Sequence, residues 1–166
     1  GLLVPGSRIT LRKVLWNPGR IGIVRALNRM GARIRPQRTH KQGPEVTADL
    51  VITPHPLRAT TVKPAEVPSL IDELPILMVI ATQARGKSWF HGVEELRVKG
   101  TDRVASMVGQ LRAMGARIGV EGNSVWVEGP TPLRAPKEPI RSFGDHRTAM
   151  SFIVAGMIAQ GSTRVS

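Results

Sequence analysis

The sequence contains no cysteine and no tyrosine, and it has few aromatic residues of any kind. The absence of cysteine excludes disulfide bonds and thiolate–zinc sites. No apolar run is long enough to span a bilayer, and no signal-peptide pattern opens the chain, so we expect a cytoplasmic protein without a membrane partner. Three Phe and three Trp leave little aromatic surface for stacking nucleic-acid bases.

Acidic residues are also scarce relative to basic ones. The chain has 24 Lys and Arg against 12 Asp and Glu, a formal charge of +12. Such an excess favours anionic partners, which include nucleic acids, phosphorylated metabolites and acidic membrane surfaces. The basic residues are scattered, so most are expected to lie on a solvated surface. With 166 residues, 41% of them hydrophobic, the chain is predicted to fold as one domain with a core.

An internal repeat organises the chain. Leu-Asn-Arg-Met-Gly-Ala-Arg-Ile at 27–34 returns as Leu-Arg-Ala-Met-Gly-Ala-Arg-Ile at 111–118. Each copy closes an amphipathic helix pattern, and its glycine is predicted to end that helix before a strand. We therefore predict a single domain over 1–166 that contains two copies of an α/β unit, at about 7–93 and 94–166.

Each copy also contains a second helix pattern that is strongly apolar. These helices are predicted at 72–84 and 145–160. Strands are predicted in the remaining apolar segments, at 46–53, 87–93, 118–120, 124–128 and 162–165. Segments rich in polar residues or proline predict loops at 37–45, 54–68 and 130–139. Each copy thus reads as strand, helix, two strands and helix.

Charged residues mark three of the predicted helix starts. Asp72 precedes Pro75, and this segment alone indicates a helix cap. Thr101 or Asp102 is predicted to cap a helix whose first turn contains Arg103. A cation in a first turn opposes the helix dipole. A bound anion would remove that conflict, because free backbone N–H groups and the guanidinium would both point at it.

The third helix start repeats this pattern. Asp145 is predicted to cap a helix with His146 and Arg147 in its first turn. A lone Asp-His pair is typical of local capping. Two helix starts with a first-turn arginine in one duplicated fold instead predict a pocket that binds carboxylate or phosphate groups. The sequence contains no Walker-type loop, no metal-spaced histidine cluster and no Gly-x-Ser-x-Gly elbow.

Taken together, these segments resemble the EPSP synthase (3-phosphoshikimate 1-carboxyvinyltransferase) family. The matching blocks are Leu-Ile-Asp-Glu-Leu-Pro at 70–75, Leu-Arg-Val-Lys-Gly-Thr-Asp-Arg at 96–103 and Asp-His-Arg-Thr-Ala-Met at 145–150, in the family's order. The segments 2–7 and 15–20 also match. The resemblance implies an inside-out α/β domain of repeated βαβαββ units, about one of the family's two domains, with helix N-termini that face a cleft between them.

The resemblance also implies a reaction. The family transfers the enolpyruvyl group of phosphoenolpyruvate to the 5-hydroxyl of shikimate 3-phosphate in chorismate and aromatic amino acid biosynthesis, and glyphosate inhibits it. The reaction requires no metal and no organic cofactor. The implied partners are these two small molecules and an N-terminal domain that the chain lacks.

Each matched residue acquires an implied role. Asp72 would bind the shikimate hydroxyls and assist proton removal from the 5-hydroxyl, and Lys99 would contact the 3-phosphate near the reacting atoms. Both are implied catalytic residues. The phosphoenolpyruvate-binding residues would be the two first-turn arginines, supported by the neighbouring acid and histidine: Arg103, Arg147, Asp145 and His146.

The chain departs from the family in ways that predict weak activity. Gly100 stands where the family has a glutamate expected to serve in proton transfer. The other domain and the family's terminal lysine-bearing segment are missing, so the isolated chain is expected to be inactive or weakly active. Two alternatives stay open: an enolpyruvyl transferase that acts on UDP-N-acetylglucosamine, and a non-catalytic basic module that binds nucleic acid.

Overall fold

The computed structural model describes residues 1–98 and 102–166. The strands are β1 (Ile9–Leu15), β2 (Pro36–Gln42), β3 (Glu45–Ile52), β4 (Thr61–Val62), β5 (Gly86–His91), β6 (Arg117–Glu121) and β7 (Ser124–Gly129). The α-helices are α1 (Gly22–Arg29), α2 (Leu74–Ala81), α3 (Glu95–Val98), α4 (Arg103–Ala113) and α5 (His146–Ile158). Short 3-10 helices span Pro64–Ser69 and Ile71–Glu73. Within these described ranges, no helix has the length and apolar character needed to cross a membrane.

The strands form two sheets that repeat one arrangement. The first sheet has the order β1-β3-β2, and the second has the order β4-β5-β7-β6. In both sheets the strand before a helix pairs antiparallel with the second strand of the hairpin that follows the helix. The two-residue β4 adds to β5 in parallel. These mixed sheets and helices confirm the predicted α/β class. The boundary between the two copies near residue 93 stays a prediction. The second sheet contains β4 and β5, and both strands lie before that residue in the chain.

The core surrounds α2, which is apolar on all sides. Leu77, Met78, Val79 and Ala81 are fully buried, as expected for a helix with no polar face. This helix packs against α5, α4 and β7. Because α4 and α5 flank α2, the N-terminal ends of these helices can contribute side chains to one site.

The polar segment 37–45 was predicted as a loop, and this prediction is wrong. Most of it lies in β2, which is paired antiparallel with β3 along its length. The segment Pro-Gln-Arg-Thr-His-Lys-Gln has no alternating apolar residues. Backbone hydrogen bonds to β3 hold the strand, so hydrophobic periodicity gives no signal for it. The predicted loop at 54–68 likewise contains β4 and a 3-10 helix, Pro64–Ser69.

Two predicted strands are shorter or later than expected. The strand after the first octapeptide begins at Pro36 rather than beside Gly31. There the Asn28 side chain takes the place of a strand partner: its Oδ1 accepts from Ile34 N at 2.6 Å and its Nδ2 donates to Ile34 O at 2.8 Å. The strand predicted at 162–165 is reduced to a single bridge between Ile140 and Val165. In the second copy, in contrast, β6 begins within the octapeptide itself, at Arg117.

Candidate functional site

Aspartates cap the starts of α4 and α5. Asp102 Oδ1 accepts a hydrogen bond from Ala105 N at 2.9 Å. Asp145 Oδ1 accepts from Arg147 N at 2.8 Å and from Thr148 N at 2.9 Å. These bonds satisfy backbone N–H groups that a helix start leaves without intrahelical partners. The predicted Asp145 cap is confirmed, and of the two residues predicted as possible caps of α4, Thr101 and Asp102, Asp102 makes the bond.

Asp72 is not a helix cap, so the capping interpretation of its segment is wrong. It lies in the 3-10 turn Ile71–Glu73, and the N-cap residue of α2 is Glu73, which makes no side-chain capping bond. The Asp72 carboxylate instead lies 2.7 Å from Arg147 Nη2 and 3.9 Å from Arg103 Nη1. Pairing with two arginines from other helices satisfies this carboxylate without a capping bond.

Arg103 connects the start of α4 to the start of α5. Its side chain is 11% exposed, and its Nε donates to Asp145 Oδ2. Within residues 1–98 and 102–166, its buried Nη1 makes no hydrogen bond. A buried guanidinium nitrogen with only a distant carboxylate is costly, and an anionic ligand would satisfy it.

Arg147 is the more accessible arginine of the pair. Its side chain is 27% exposed. Its Nη1 lies 2.8 Å from His146 Nε2, and the His146 ring is exposed at the edge of the site. Arg147 therefore lies between Asp72 and His146, where its guanidinium can exchange a protein carboxylate for an external one.

The pKa values of two carboxyl groups at the site are shifted in opposite directions. Burial alone would raise the pKa of Asp145, but the Thr148 N–H and the Arg103 guanidinium outweigh it and hold the pKa below its ordinary value. Burial and the adjacent Asp72 carboxylate raise the pKa of Glu73. Asp145 is thus held ionised as a structural partner of Arg103, while Glu73 is the carboxyl that takes a proton more readily.

A groove of about 450 Å³ runs from these charges along α2 and α5. Its polar end contains acids and bases, and its far end is mostly apolar; the lining residues are Asp72, Glu73, Ile76, His146, Arg147, Met150, Ser151 and Val154. This combination suits a small ligand with an anionic group that binds Arg147.

The structure brings five of the six predicted site residues together. Asp72, Arg103, Asp145 and Arg147 are joined by ion pairs, and His146 contacts Arg147. The sixth residue, Lys99, lies outside the described residues, as do Gly100 and Thr101. Glu73 is not among the predicted site residues, although an acid beside Asp72, directly before an apolar helix, is visible in the sequence.

Comparisons with known proteins identify the family of this chain. The family model for EPSP synthase (3-phosphoshikimate 1-carboxyvinyltransferase) matches residues 1–166. A relative named 3-phosphoshikimate 1-carboxyvinyltransferase from Akkermansia muciniphila is 43% identical over 98% of this chain, and one from Geobacillus kaustophilus is 38% identical over 99%. The matched segment is 37% and 39% of those relatives, so the chain spans less than two fifths of their length.

Solved structures give the same result. EPSP synthase from Acinetobacter baumannii superposes with a TM-score of 0.91 at 32% identity, over 98% of this chain and 38% of that protein. The enolpyruvyl transferase NikO from Streptomyces tendae superposes over 99% of this chain and 35% of its own, with a TM-score of 0.74 at 20% identity, which shows a shared fold. The predicted enolpyruvyl transferase-like α/β fold is therefore confirmed, and the chain belongs to the EPSP synthase family.

Proposed function

We propose that the protein carrying this chain transfers the enolpyruvyl group of phosphoenolpyruvate to the 5-hydroxyl of shikimate 3-phosphate, giving EPSP and phosphate. The observation that supports this proposal most directly is the convergence of the α4 and α5 starts, where Arg103 and Arg147 share Asp72 between them. Two guanidinium groups beside a carboxylate suit a reaction in which an anion is held next to a hydroxyl that must lose a proton.

Arg103 and Arg147 would hold phosphoenolpyruvate. The buried Nη1 of Arg103, which makes no hydrogen bond in the described part of the chain, would gain an anionic acceptor. Fixed guanidinium groups require no reorganisation when charge develops on the ligand, so they stabilise the transition state through both addition and elimination of phosphate. Asp145 would hold Arg103 in place, and His146 would hold Arg147.

Asp72 would bind the shikimate hydroxyls and assist removal of the 5-hydroxyl proton. In the structure its carboxylate is 2.7 Å from Arg147. An anion that binds Arg147 competes with this ion pair and frees one Asp72 oxygen to accept a hydrogen bond from a hydroxyl. The Arg147 guanidinium would in this way both bind the ligand and release the Asp72 carboxylate to act as a base. The implied role of Lys99 at the 3-phosphate, which lies outside the described residues, stays part of the proposal.

The isolated chain is proposed to have little or no turnover, because it spans less than two fifths of the relatives it matches. The rest of such a relative would supply the facing wall of the cleft. A cytoplasmic location also stays a prediction.

A chimaera tests the proposed reaction. Residues 1–166 would replace the matching segment of the A. muciniphila relative, which is 43% identical over that segment. We expect EPSP formation, and we expect Arg147→Lys to lower kcat/KM by about 10²–10³, as for removal of one preorganised donor. Lysine keeps the charge but loses the planar fork. Arg117→Lys is the matched control, because Arg117 is exposed and paired with Glu128 on the second sheet.

The assay has three contradicting results. A folded chimaera without product, or equal activity in the Arg147→Lys variant, would contradict the proposed function. Preferential use of UDP-N-acetylglucosamine as acceptor would assign the chain to a different enolpyruvyl transfer.

A further inference from the structure

Glu73 lies in the groove, and within residues 1–98 and 102–166 its side chain forms no ion pair. It is the N-cap residue of α2, yet its side chain makes no capping bond to that helix. It lines the groove together with Asp72, His146 and Arg147. Its carboxyl group is therefore available to respond to whatever binds there.

Charges from three parts of the chain face this carboxyl group. Asp72 comes from the same 3-10 turn, Arg20 from the segment before α1, and His146 and Arg147 from α5. Burial and the Asp72 carboxylate raise the pKa of Glu73, and the attraction of Arg20 and Arg147 offsets this only in part. In the ligand-free groove these charges and burial already raise the proton affinity of Glu73 above that of an ordinary glutamate.

An anionic ligand would shift this balance further in the same direction. It adds negative charge beside Glu73, and it occupies the guanidinium of Arg147 that now stabilises the ionised carboxylate. Both changes increase the proton affinity of Glu73. We propose that Glu73 takes up a proton when an anionic ligand binds in the groove, so that the loaded site holds a neutral carboxyl group beside the ligand.

This inference rests on the proposed function and adds a proton-carrying residue to it. Coupling between two equilibria is reciprocal, so a proton on Glu73 must tighten anion binding by the same factor by which the anion tightens proton binding. A residue that is neutral at every pH should then bind the anion more tightly than glutamate does at neutral pH. Glutamine is such a residue with the same shape.

The test follows the Glu73 Cδ resonance of the ¹³C-glutamate-labelled chain from about pH 3.5 to 7.5, with and without phosphoenolpyruvate. We expect the midpoint to rise by about one unit when the ligand is bound, a tenfold gain in proton affinity. Glu73→Gln is expected to bind phosphoenolpyruvate more tightly than the wild-type chain at pH 7, by up to about tenfold, with the two affinities converging as Glu73 becomes protonated. Both chains are measured with the same ligand at each pH. The ratio of their affinities is therefore independent of the protonation of the ligand's own phosphate.

Glu66→Gln serves as the matched control. Glu66 is a carboxylate paired with Arg29 at 2.7 Å and does not line the groove, so this variant should bind like wild type at each pH. Binding that leaves the Glu73 midpoint unchanged or lowers it would overturn this inference alone. If phosphoenolpyruvate shifts neither the Arg103 nor the Arg147 amide, the proposed function fails, and this inference fails with it.

Discussion

The start of α1 and the start of α4 follow the same repeated pattern, yet they differ in chemistry. α1 follows Ile21, which provides no side-chain cap. Its first residue, Gly22, lies against the 3-10 helix Pro64–Ser69, where an added Cβ would be 2.6 Å from the Ser69 carbonyl oxygen. The α4 start is capped by Asp102 and contains Arg103, which reaches across to Asp145 at the start of α5.

This difference shows that repeated topology fixes where a helix begins but not what its first turn can bind. At Gly22 the α1 start is closed by Ser69, and it has no side-chain cap. The starts of α4 and α5 have aspartate caps; Arg147 lines a groove, and Arg103 pairs with Asp145 at the α5 start. Side chains, rather than the helix dipole common to all these helices, decide which starts form the site.

The largest expected effect comes from removing the acid that joins the two arginine-bearing starts. Asp145→Ala removes the cap of α5 and leaves the buried Arg103 with Asp72 at 3.9 Å. We expect a loss of about 3–5 kcal/mol in the free energy of unfolding, measured with urea. Asp145→Asn keeps an oxygen for the Thr148 N–H and should recover about 1 kcal/mol of it. A loss below about 1 kcal/mol for the alanine variant would contradict this account of the ion pair.

A second prediction compares alanine substitutions at two helix glycines, one packed against Ser69 at the α1 start and one with free space around it in α4. Gly22→Ala places a methyl group against Ser69 and should destabilise the chain by about 1–3 kcal/mol. Gly109→Ala, in α4, meets no atom within 4 Å and should stabilise it by about 0.5–1 kcal/mol. Thermal unfolding measures both, and changes of the same sign would contradict the closed α1 start.

A smaller effect isolates capping from charge pairing. Asp102 makes its capping bond to Ala105 N and is exposed, so Asp102→Ala should cost about 1 kcal/mol. Asp102→Asn should be nearly neutral, since an amide oxygen also caps. Urea unfolding that shows a loss for Asp102→Ala as large as for Asp145→Ala would mean that capping alone explains both positions.

The smallest effect is a pH dependence with opposite signs at Asp145 and Glu73. The lowered pKa of Asp145 means that its stabilising contribution is present above the unfolded pKa and is lost as pH falls through the folded pKa. The raised pKa of Glu73 means that the folded chain binds more protons there, so stability falls as pH rises between the unfolded and folded values. Glu73→Gln should therefore stabilise the chain at pH 7 by less than about 1 kcal/mol and have no effect below about pH 4. Urea unfolding across this range would contradict the assignment if Glu73→Gln destabilised the chain at pH 7.

Sequence reasoning could predict the parts of the site that depend on local pattern. Asp102 and Asp145 each precede an arginine and an apolar helix pattern, so their capping roles follow from neighbours in the chain. The partner of Asp72 could not be predicted this way, because Arg147 reaches it only through the packing of α2 against α5. β2 was missed for a similar reason, since its hydrogen bonds to β3 leave no apolar period in the sequence.

The most direct test of the central claim is an NMR titration of the 166-residue chain with phosphoenolpyruvate in the presence of shikimate 3-phosphate, with inorganic phosphate as control. We predict saturable shifts of the Arg103 and Arg147 amides, no shift of the Gly22 amide, and no comparable response to phosphate alone. Shifts at Gly22 equal to those at the arginines, or no shift at Arg103 and Arg147, would contradict the claim that the starts of α4 and α5 form the anion site.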